Sequence, residues 1–291
     1  YHLAKDRFAE HGIKTGRVSL DLPTMMARKE KVVQELTANV KKLLEGHKIE
    51  IIHGTAKLAG SDRIEVIQNS AKAKKNELLS LQAKAIILAT GSKASSLSGL
   101  EFDGQHIVSS REALNFDAVP KHLGIVGGGY IGLELGSVWL RLGAKVSVIE
   151  MLPKIATTLD GQVGRKLQRV LKRQGINFHM QTKVTGAKIA GKSVRVDLET
   201  KKGREALSCN RLLISVGRSP RTTGLGLEEV GIKTDPDTGH LLVDASYRTN
   251  IPTIYAIGDL IPGPMLAHKA SAEGIAAAVC IAGKPGEVNF D

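Results

Sequence analysis

Gly127-Gly128-Gly129-Tyr130-Ile131-Gly132 lies between an apolar run, Leu123-Gly124-Ile125-Val126, and a stretch of helical periodicity from Ile131 to Leu142. A second extended run, Lys145 to Glu150, follows and ends in an acid 18 residues after Gly132. Glycines alone mark only a turn, and a turn that binds nothing carries the same glycines. The strand before, the helix after and the acid-tipped strand next supply the context of a dinucleotide-binding βαβ unit. Each piece has a physical task. Gly127 permits the tight turn, Gly129 lets a pyrophosphate approach the backbone, and Gly132 lets helix and strand pack closely. The helix N-terminus offers free N–H groups and positive potential. Glu150 is placed to accept hydrogen bonds from ribose hydroxyls and would repel a 2′-phosphate, which favours NAD over NADP.

The rest of the chain extends that pattern. Gly161 to Gln174 reads as a second helix closed by Gly175, and Ile176 to Met180 as another extended run. Val184 to Ala190, Ser193 to Glu199 and Glu205 to Leu207 alternate as an antiparallel meander does. Leu212 to Val216 closes the unit as a buried strand. Upstream, Val33, Leu36, Val40, Leu43 and Leu44 recur at helical spacing between Thr24 and Glu45, with Pro23 before and Gly46 after. Ile49 to Ile52 and Arg63 to Ile67 read as extended, and Ala85 to Ala89 as a strand buried on both faces. The basic run Lys72-Ala73-Lys74-Lys75 reads as a solvated hairpin tip. Near the end come a strand, Thr253 to Ile257, and a helix from Ala267 to Ala282. Strands alternating with helices imply parallel sheets with right-handed crossovers.

A second acid stands at a strand end, in Tyr255-Ala256-Ile257-Gly258-Asp259. Asp259 is placed to bind ligand hydroxyls, or to cap the next turn. His268, at the start of the following helix, reads as a structural helix residue before a proton shuttle. Glu134, between Leu133 and Leu135, is a solvated helix position or a carboxylate aimed into a cofactor site, where it needs a cationic partner.

Composition excludes several classes. The charge balance is +12, from 41 Lys and Arg against 29 Asp and Glu, which fits an acidic partner. With only ten aromatic residues in 291, no stacking platform for nucleic acid is expected. No apolar run reaches the roughly 18 residues of a membrane helix. Cys209 and Cys280, 71 residues apart, form neither a metal cluster nor a disulfide framework. That usage suggests a reducing, cytoplasmic setting with no metal. The chain opens Tyr1-His2-Leu3 without Met or signal peptide and ends in an extended Val288-Asn289-Phe290, so both ends read as cuts through a longer chain.

In this order, Ala89-Thr90-Gly91, the Gly127–Gly132 fingerprint running into Leu133-Glu134, Gly217-Arg218-Ser219-Pro220 and Tyr255 to Asp259 resemble the flavoprotein disulfide reductases. Pro264-Met265-Leu266-Ala267-His268-Lys269-Ala270, with Glu273-Gly274, is similar to the dihydrolipoamide dehydrogenase branch of that family. The resemblance covers essentially the whole chain. It implies a doubly wound α/β fold of three layers, in which a Rossmann-like NAD domain (118–243) is inserted in a partial FAD domain (1–117 and the returning 244–291).

It further implies that NAD is held by Gly127, Gly128, Gly129, Tyr130, Ile131, Gly132, Glu134, Glu150, Val184 and Gly217, with Glu134 also beside the flavin. FAD would be held by Ala56, Thr90, Gly91, Ser92, Asp259, Met265, Leu266, Ala267 and His268. The implied reaction is oxidation of protein-bound dihydrolipoamide with NAD reduction through FAD, in a homodimer serving a 2-oxoacid dehydrogenase complex through its lipoyl domain. The family's redox cysteine pair, the lysine after it and its catalytic His and Glu have no counterparts here. No catalytic residue is therefore expected in this chain, FAD is expected to bind it poorly, and a buried Glu134 would be uncompensated. Mercuric reductase, soluble transhydrogenase and a non-catalytic dinucleotide-binding module remain open alternatives.

Overall fold

The structure, a computed structural model, describes residues 1–69, 77–286 and 288. The expected basic hairpin tip at 72–75 and residues 289 and 290 of the extended end lie outside the described residues. In chain order the first elements are α1 (His2–Asp6), α2 (Leu22–Gly46), β1 (Gly54–Leu58), β2 (Arg63–Gln68), β3 (Leu78–Gln82), β4 (Ile86–Leu88), β5 (Ser92–Ala94), β6 (Ile107–Val108) and α3 (Ser110–Ala113). Then come β7 (His122–Val126), α4 (Tyr130–Arg141), β8 (Lys145–Glu150), α5 (Gly161–Gln174), β9 (Asn177–Met180), β10 (Lys183–Ala190), β11 (Ser193–Thr200), β12 (Gly203–Cys209) and β13 (Arg211–Ile214). The chain closes with β14 (Arg218–Pro220), α6 (Leu227–Val230), β15 (Ile254–Ala256) and α7 (Ala267–Ile281). Two compact units result, one of Tyr1–Asn39 with Ala94–Gly217 and one of Val40–Lys93 with Arg218–Asp291.

The first unit is built on a five-stranded parallel sheet in the order β6-β13-β7-β8-β9. Its central strands are apolar on both faces, with Leu123, Ile125, Val146, Val148, Leu212 and Leu213 fully buried, as a parallel sheet covered on both sides requires. The chain leaves β7 for β8 on one side and returns to β13 on the other. The strand order therefore reverses between β7 and β13, and ligands of open α/β sheets bind at the carboxyl end of such a reversal. Trp139 anchors α4, its indole N–H donating to the Ala113 carbonyl at 2.9 Å and its ring lying 5.0 Å from that of Phe116. The Asp160 carboxylate caps α5 by accepting from the Gln162 and Val163 amides, and Gly175 ends it. β10, β11 and β12 form the expected antiparallel meander.

In the second unit β15 pairs in parallel with β4, and β1, β2 and β3 form an antiparallel sheet. Leu58, Ile86, Leu88, Leu241, Ile254, Ala256 and Leu260 build its core.

Three expectations are corrected. Ile49 to Ile52 is not a strand: the backbone unwinds from α2 there, with Lys48 at φ +58 and the Ile49 amide still donating to Leu44, and pairing begins only at Gly54. β4 is not buried on both faces, because Ile87 points outward between Ile86 and Leu88. The apolar stripe of α2 is helical as expected but not core: Val33, Leu36, Val40 and Leu43 are exposed, and Leu22 is the buried residue of that helix. Periodicity predicts a face, not its partner.

His122, at the start of β7, hydrogen-bonds through Nε2 to the buried Ser147 hydroxyl at 2.9 Å. Burial, then the neighbouring positive charges of Lys145 and His179, hold the imidazole below its ordinary value of 6.5. The unfolded chain thus binds the proton more readily, and stability rises with pH across that window. The contribution is fully present above about pH 6.5 and is lost as the pH falls through the lower folded value. Between pH 7.5 and 5.5 the wild type is expected to lose more thermal stability than His122→Gln. Parallel pH profiles for the two would contradict this.

Candidate functional site

The glycine turn sits at the carboxyl end of β7, at the strand-order reversal. Gly127 has φ +103, and a Cβ there would lie 2.5 Å from the Ser215 carbonyl oxygen just past β13. Only glycine meets both demands. Gly132 faces inward on α4, where a Cβ would meet Ser215 Oγ at 2.5 Å and the Gly127 oxygen at 2.7 Å. Helix and sheet approach as closely as the fingerprint requires. Gly129 differs: it has extended backbone and nothing within 4 Å of a Cβ position. Its side of the turn is open space.

Gly129 is the N-cap of α4, without a side-chain cap. Among the described residues, the amides of Tyr130, Ile131 and Gly132 have no hydrogen-bond acceptor; the Leu133 amide is the first to bond back, to Gly129. A helix end of this kind is an anion site. Glu150 closes the other side. Its Oε2 accepts from the Gly128 amide at 2.6 Å and its Oε1 from the Leu152 amide at 2.7 Å. A carboxylate has about four acceptor sites, so capacity remains for ribose hydroxyls. The turn has further supports that the sequence did not announce. Ser215 Oγ donates to the Val126 and Gly127 carbonyls, and the amide of Ala156, itself at φ +47, donates to the Gly128 carbonyl at 2.8 Å.

Gly217, exposed at φ +139, follows β13 at this end of the sheet, and half-buried Val184 lies in β10 opposite Leu198. Tyr130 is exposed. Glu134 is exposed too, and this corrects the expectation of a buried, uncompensated carboxylate. It projects from the outer face of α4, while Leu133 and Leu135 take the buried positions.

The flavin-side residues fall in the second unit. Ala56 is exposed on β1, opposite Val66. Thr90 Oγ1 donates to the Arg221 carbonyl at 2.8 Å, and the Gly91 carbonyl accepts from the Arg221 amide. Ser92 is buried; its hydroxyl donates to Asp259 Oδ2 and accepts from Arg218 Nε at 2.7 Å, while Arg218 Nη2 donates to the Ser92 carbonyl. Asp259 is half-buried just beyond β15, and Met265 to His268 lie partly or fully exposed at the start of α7, which has no side-chain cap. The Gly258 turn before Asp259 is held by two buried charges of α7, Lys269 and Glu273. Sequence reading marked these two only as family-like; their i, i+4 spacing was the available sign of an ion pair. Every residue expected at NAD lies in the first unit, and every residue expected at FAD in the second. Burial pushes the Cys209 thiol up to about 11, so it is an inert core group.

Both sets fit their nucleotides by chemistry: an open helix N-terminus with an acid for a pyridine dinucleotide, and a half-buried acid beside a second open helix start for a flavin. The chain belongs to the pyridine nucleotide-disulphide oxidoreductase family, which matches residues 3–274. This is a family of FAD- and NAD-dependent oxidoreductases.

Within it the chain is similar to dihydrolipoyl dehydrogenases. It is 41% identical to the mitochondrial dihydrolipoyl dehydrogenase of Pisum sativum, over all of this chain and 57% of that protein. It is 43% identical to the leghemoglobin reductase of Vigna unguiculata, over all of this chain and 55% of that one. The crystal structure of LpdA from Mycobacterium tuberculosis superposes with a TM-score of 0.87 at 25% identity, covering 99% of this chain and 62% of that one. The chain spans a little over half the length of the curated relatives it matches. Among the described residues, no helix is long and apolar enough to cross a membrane.

Proposed function

We propose that these residues form the nucleotide-binding part of a dihydrolipoyl dehydrogenase, which oxidises protein-bound dihydrolipoamide to lipoamide and reduces NAD by way of FAD. The observation that carries this reading is the glycine turn, open at Gly129 and held at Gly128 by the Glu150 carboxylate. In this reading 118–243 is the NAD domain, and 1–117 with 244–291 belongs to the FAD domain. The first-turn amides of α4 bind the pyrophosphate, Glu150 orients the adenosine ribose, and Tyr130, Ile131, Glu134, Val184 and Gly217 line the rest of the nucleotide. Asp259 holds the ribityl hydroxyls, Thr90, Gly91 and Ser92 line the flavin site, Ala56 contacts the adenine, and the Met265–His268 backbone faces the ring.

When bound, nicotinamide and flavin supply the hydride chemistry. The chain's own residues bind, orient and neutralise. Dithiol exchange needs a cysteine pair, and Cys209 and Cys280 do not make one, so these 291 residues alone are proposed to be inactive on lipoamide. A homodimer and the lipoyl domain of a 2-oxoacid dehydrogenase complex complete the proposal. A cytoplasmic setting, drawn from cysteine usage, is also part of it, although the names of several relatives place those proteins in mitochondria.

Fluorescence titration with NADH and NADPH tests the reading. The 2′-phosphate of NADPH meets the charge of Glu150, so NADH is expected to bind at least about tenfold more tightly, a difference of about 1.4 kcal/mol. Equal affinity, or tighter NADPH, would overturn the role given to Glu150.

A further inference from the structure

Lys269 and Glu273 stand four residues apart on α7, are 7% and 3% exposed, and pair at 2.8 Å. A buried ion pair is weak evidence for stability, since desolvation offsets much of its attraction. What it touches is more informative. Both heads converge on one residue: Glu273 Oε2 accepts from the Gly258 amide at 2.7 Å, and Lys269 Nζ donates to the Gly258 carbonyl at 3.2 Å. Gly258 is held at φ +68, and a Cβ there would lie 3.0 Å from that of Ala270, so turn and helix are pressed together. The lysine stem is closed in from the far end of the same loop, where a Cβ at Gly263 would lie 2.8 Å from Lys269 Cε. One residue beyond the clamped glycine is Asp259, whose carboxylate accepts from Ser92 Oγ.

We infer that Lys269 and Glu273 are positioning residues for Asp259. Together they fix the backbone on both sides of the Gly258 Cα, and with it the turn that presents the carboxylate. Because both side chains belong to α7, the same clamp keeps Asp259 in register with the helix start that carries Met265 to His268. The inference rests on the reading of Asp259 as the flavin-contacting acid. An apolar pair of similar volume would fill the space but hold no backbone group, which separates positioning from packing.

The test compares the 291-residue chain with Lys269→Met/Glu273→Leu and with Glu273→Gln. Thermal midpoint, amide exchange at Gly258 and Asp259, and the carbon-13 resonance of the Asp259 carboxyl are measured, with an FAD titration alongside. The double variant is expected to fold but to melt below the wild type, because the loss of the ion pair itself is nearly neutral while the buried Gly258 amide and carbonyl lose their partners. Its Gly258 amide should exchange about 10- to 100-fold faster, as loss of a bond to a charged group implies, and the Asp259 resonance should shift. Glu273→Gln keeps an acceptor for the Gly258 amide but leaves the Lys269 charge unpaired, so it should melt below the wild type, with a smaller rise in Gly258 exchange than in the double variant when each is taken relative to Ala276 and Ala277. A folded double variant with wild-type exchange at Gly258 and an unmoved Asp259 resonance overturns the inference. If the double variant does not fold, unchanged Gly258 exchange in Glu273→Gln overturns it. Poor FAD uptake by the wild-type chain is already expected of these 291 residues; FAD uptake that Asp259→Ala leaves unchanged speaks against the flavin reading of Asp259, while the exchange data still judge the clamp.

Discussion

Gly127→Ala is expected to destabilise the first unit by about 2–6 kcal/mol, the sum of two separate costs. At φ +103 a side chain forces the backbone into a conformation that costs about 1–3 kcal/mol. The added Cβ also lies 2.5 Å from the Ser215 carbonyl oxygen, and backbone cannot swing aside as a side-chain tip can. Overpacking of that kind costs about 1–3 kcal/mol, occasionally more. Gly143→Ala separates the costs, because Gly143 has φ +112 and nothing within 4 Å of its Cβ position. It should show the strain without the clash. Urea unfolding followed by the fluorescence of Trp139, the single tryptophan, reads the first unit directly. A Gly127→Ala chain as stable as Gly143→Ala would show that the turn does not pack on β13 as described.

Glu150→Ala should weaken both the fold and the ligand site. The carboxylate holds the Gly128 and Leu152 amides at 2.6 and 2.7 Å, and bonds to a charged acceptor contribute about 1.5–3 kcal/mol each. Half-exposure moves each toward the low end, so a combined loss of about 2–3 kcal/mol is expected. Loss of the ribose acceptor should lower NADH affinity at least about tenfold and abolish discrimination against NADPH. Glu150→Gln, which keeps shape and one acceptor oxygen, should recover part of the stability but not the discrimination, because that depends on charge. Full discrimination in the glutamine variant would contradict the electrostatic account.

The first unit was the more legible in the sequence, for a physical reason. The central strands of its parallel sheet are buried on both faces and its helices are bounded by strong stops such as Gly175, so periodicity, turn residues and burial agree there. The glycine spacing and the acid at 150 are what marked the candidate site. Ser215 and Ala156 were not legible, because their roles depend on backbone groups brought close only by the sheet order. The same holds for Lys269, Glu273 and Arg218 in the second unit, where the contacts join residues more than ten positions apart. Glu134 failed as a buried carboxylate because helical phase places it opposite Leu133 and Leu135. The apolar stripe of α2 misled in another way, since a pattern that implies burial does not say what does the burying.

The central claim is that the 127–132 turn holds a pyridine dinucleotide, and Gly129→Ala tests it most directly. Gly129 has ordinary extended backbone and open space around it, so alanine there should cost the fold about 1 kcal/mol or less, mostly as a poorer helix cap. The space is open on the side from which the pyrophosphate would approach, so the same methyl group should push the ligand away. NADH titration of the wild type and Gly129→Ala, each with its unfolding midpoint, gives the answer. The expected result is saturable NADH binding by the wild type, weakened at least about tenfold in a variant of nearly unchanged stability. A wild-type chain that does not bind NADH, or an alanine variant that binds it equally well, would contradict the account.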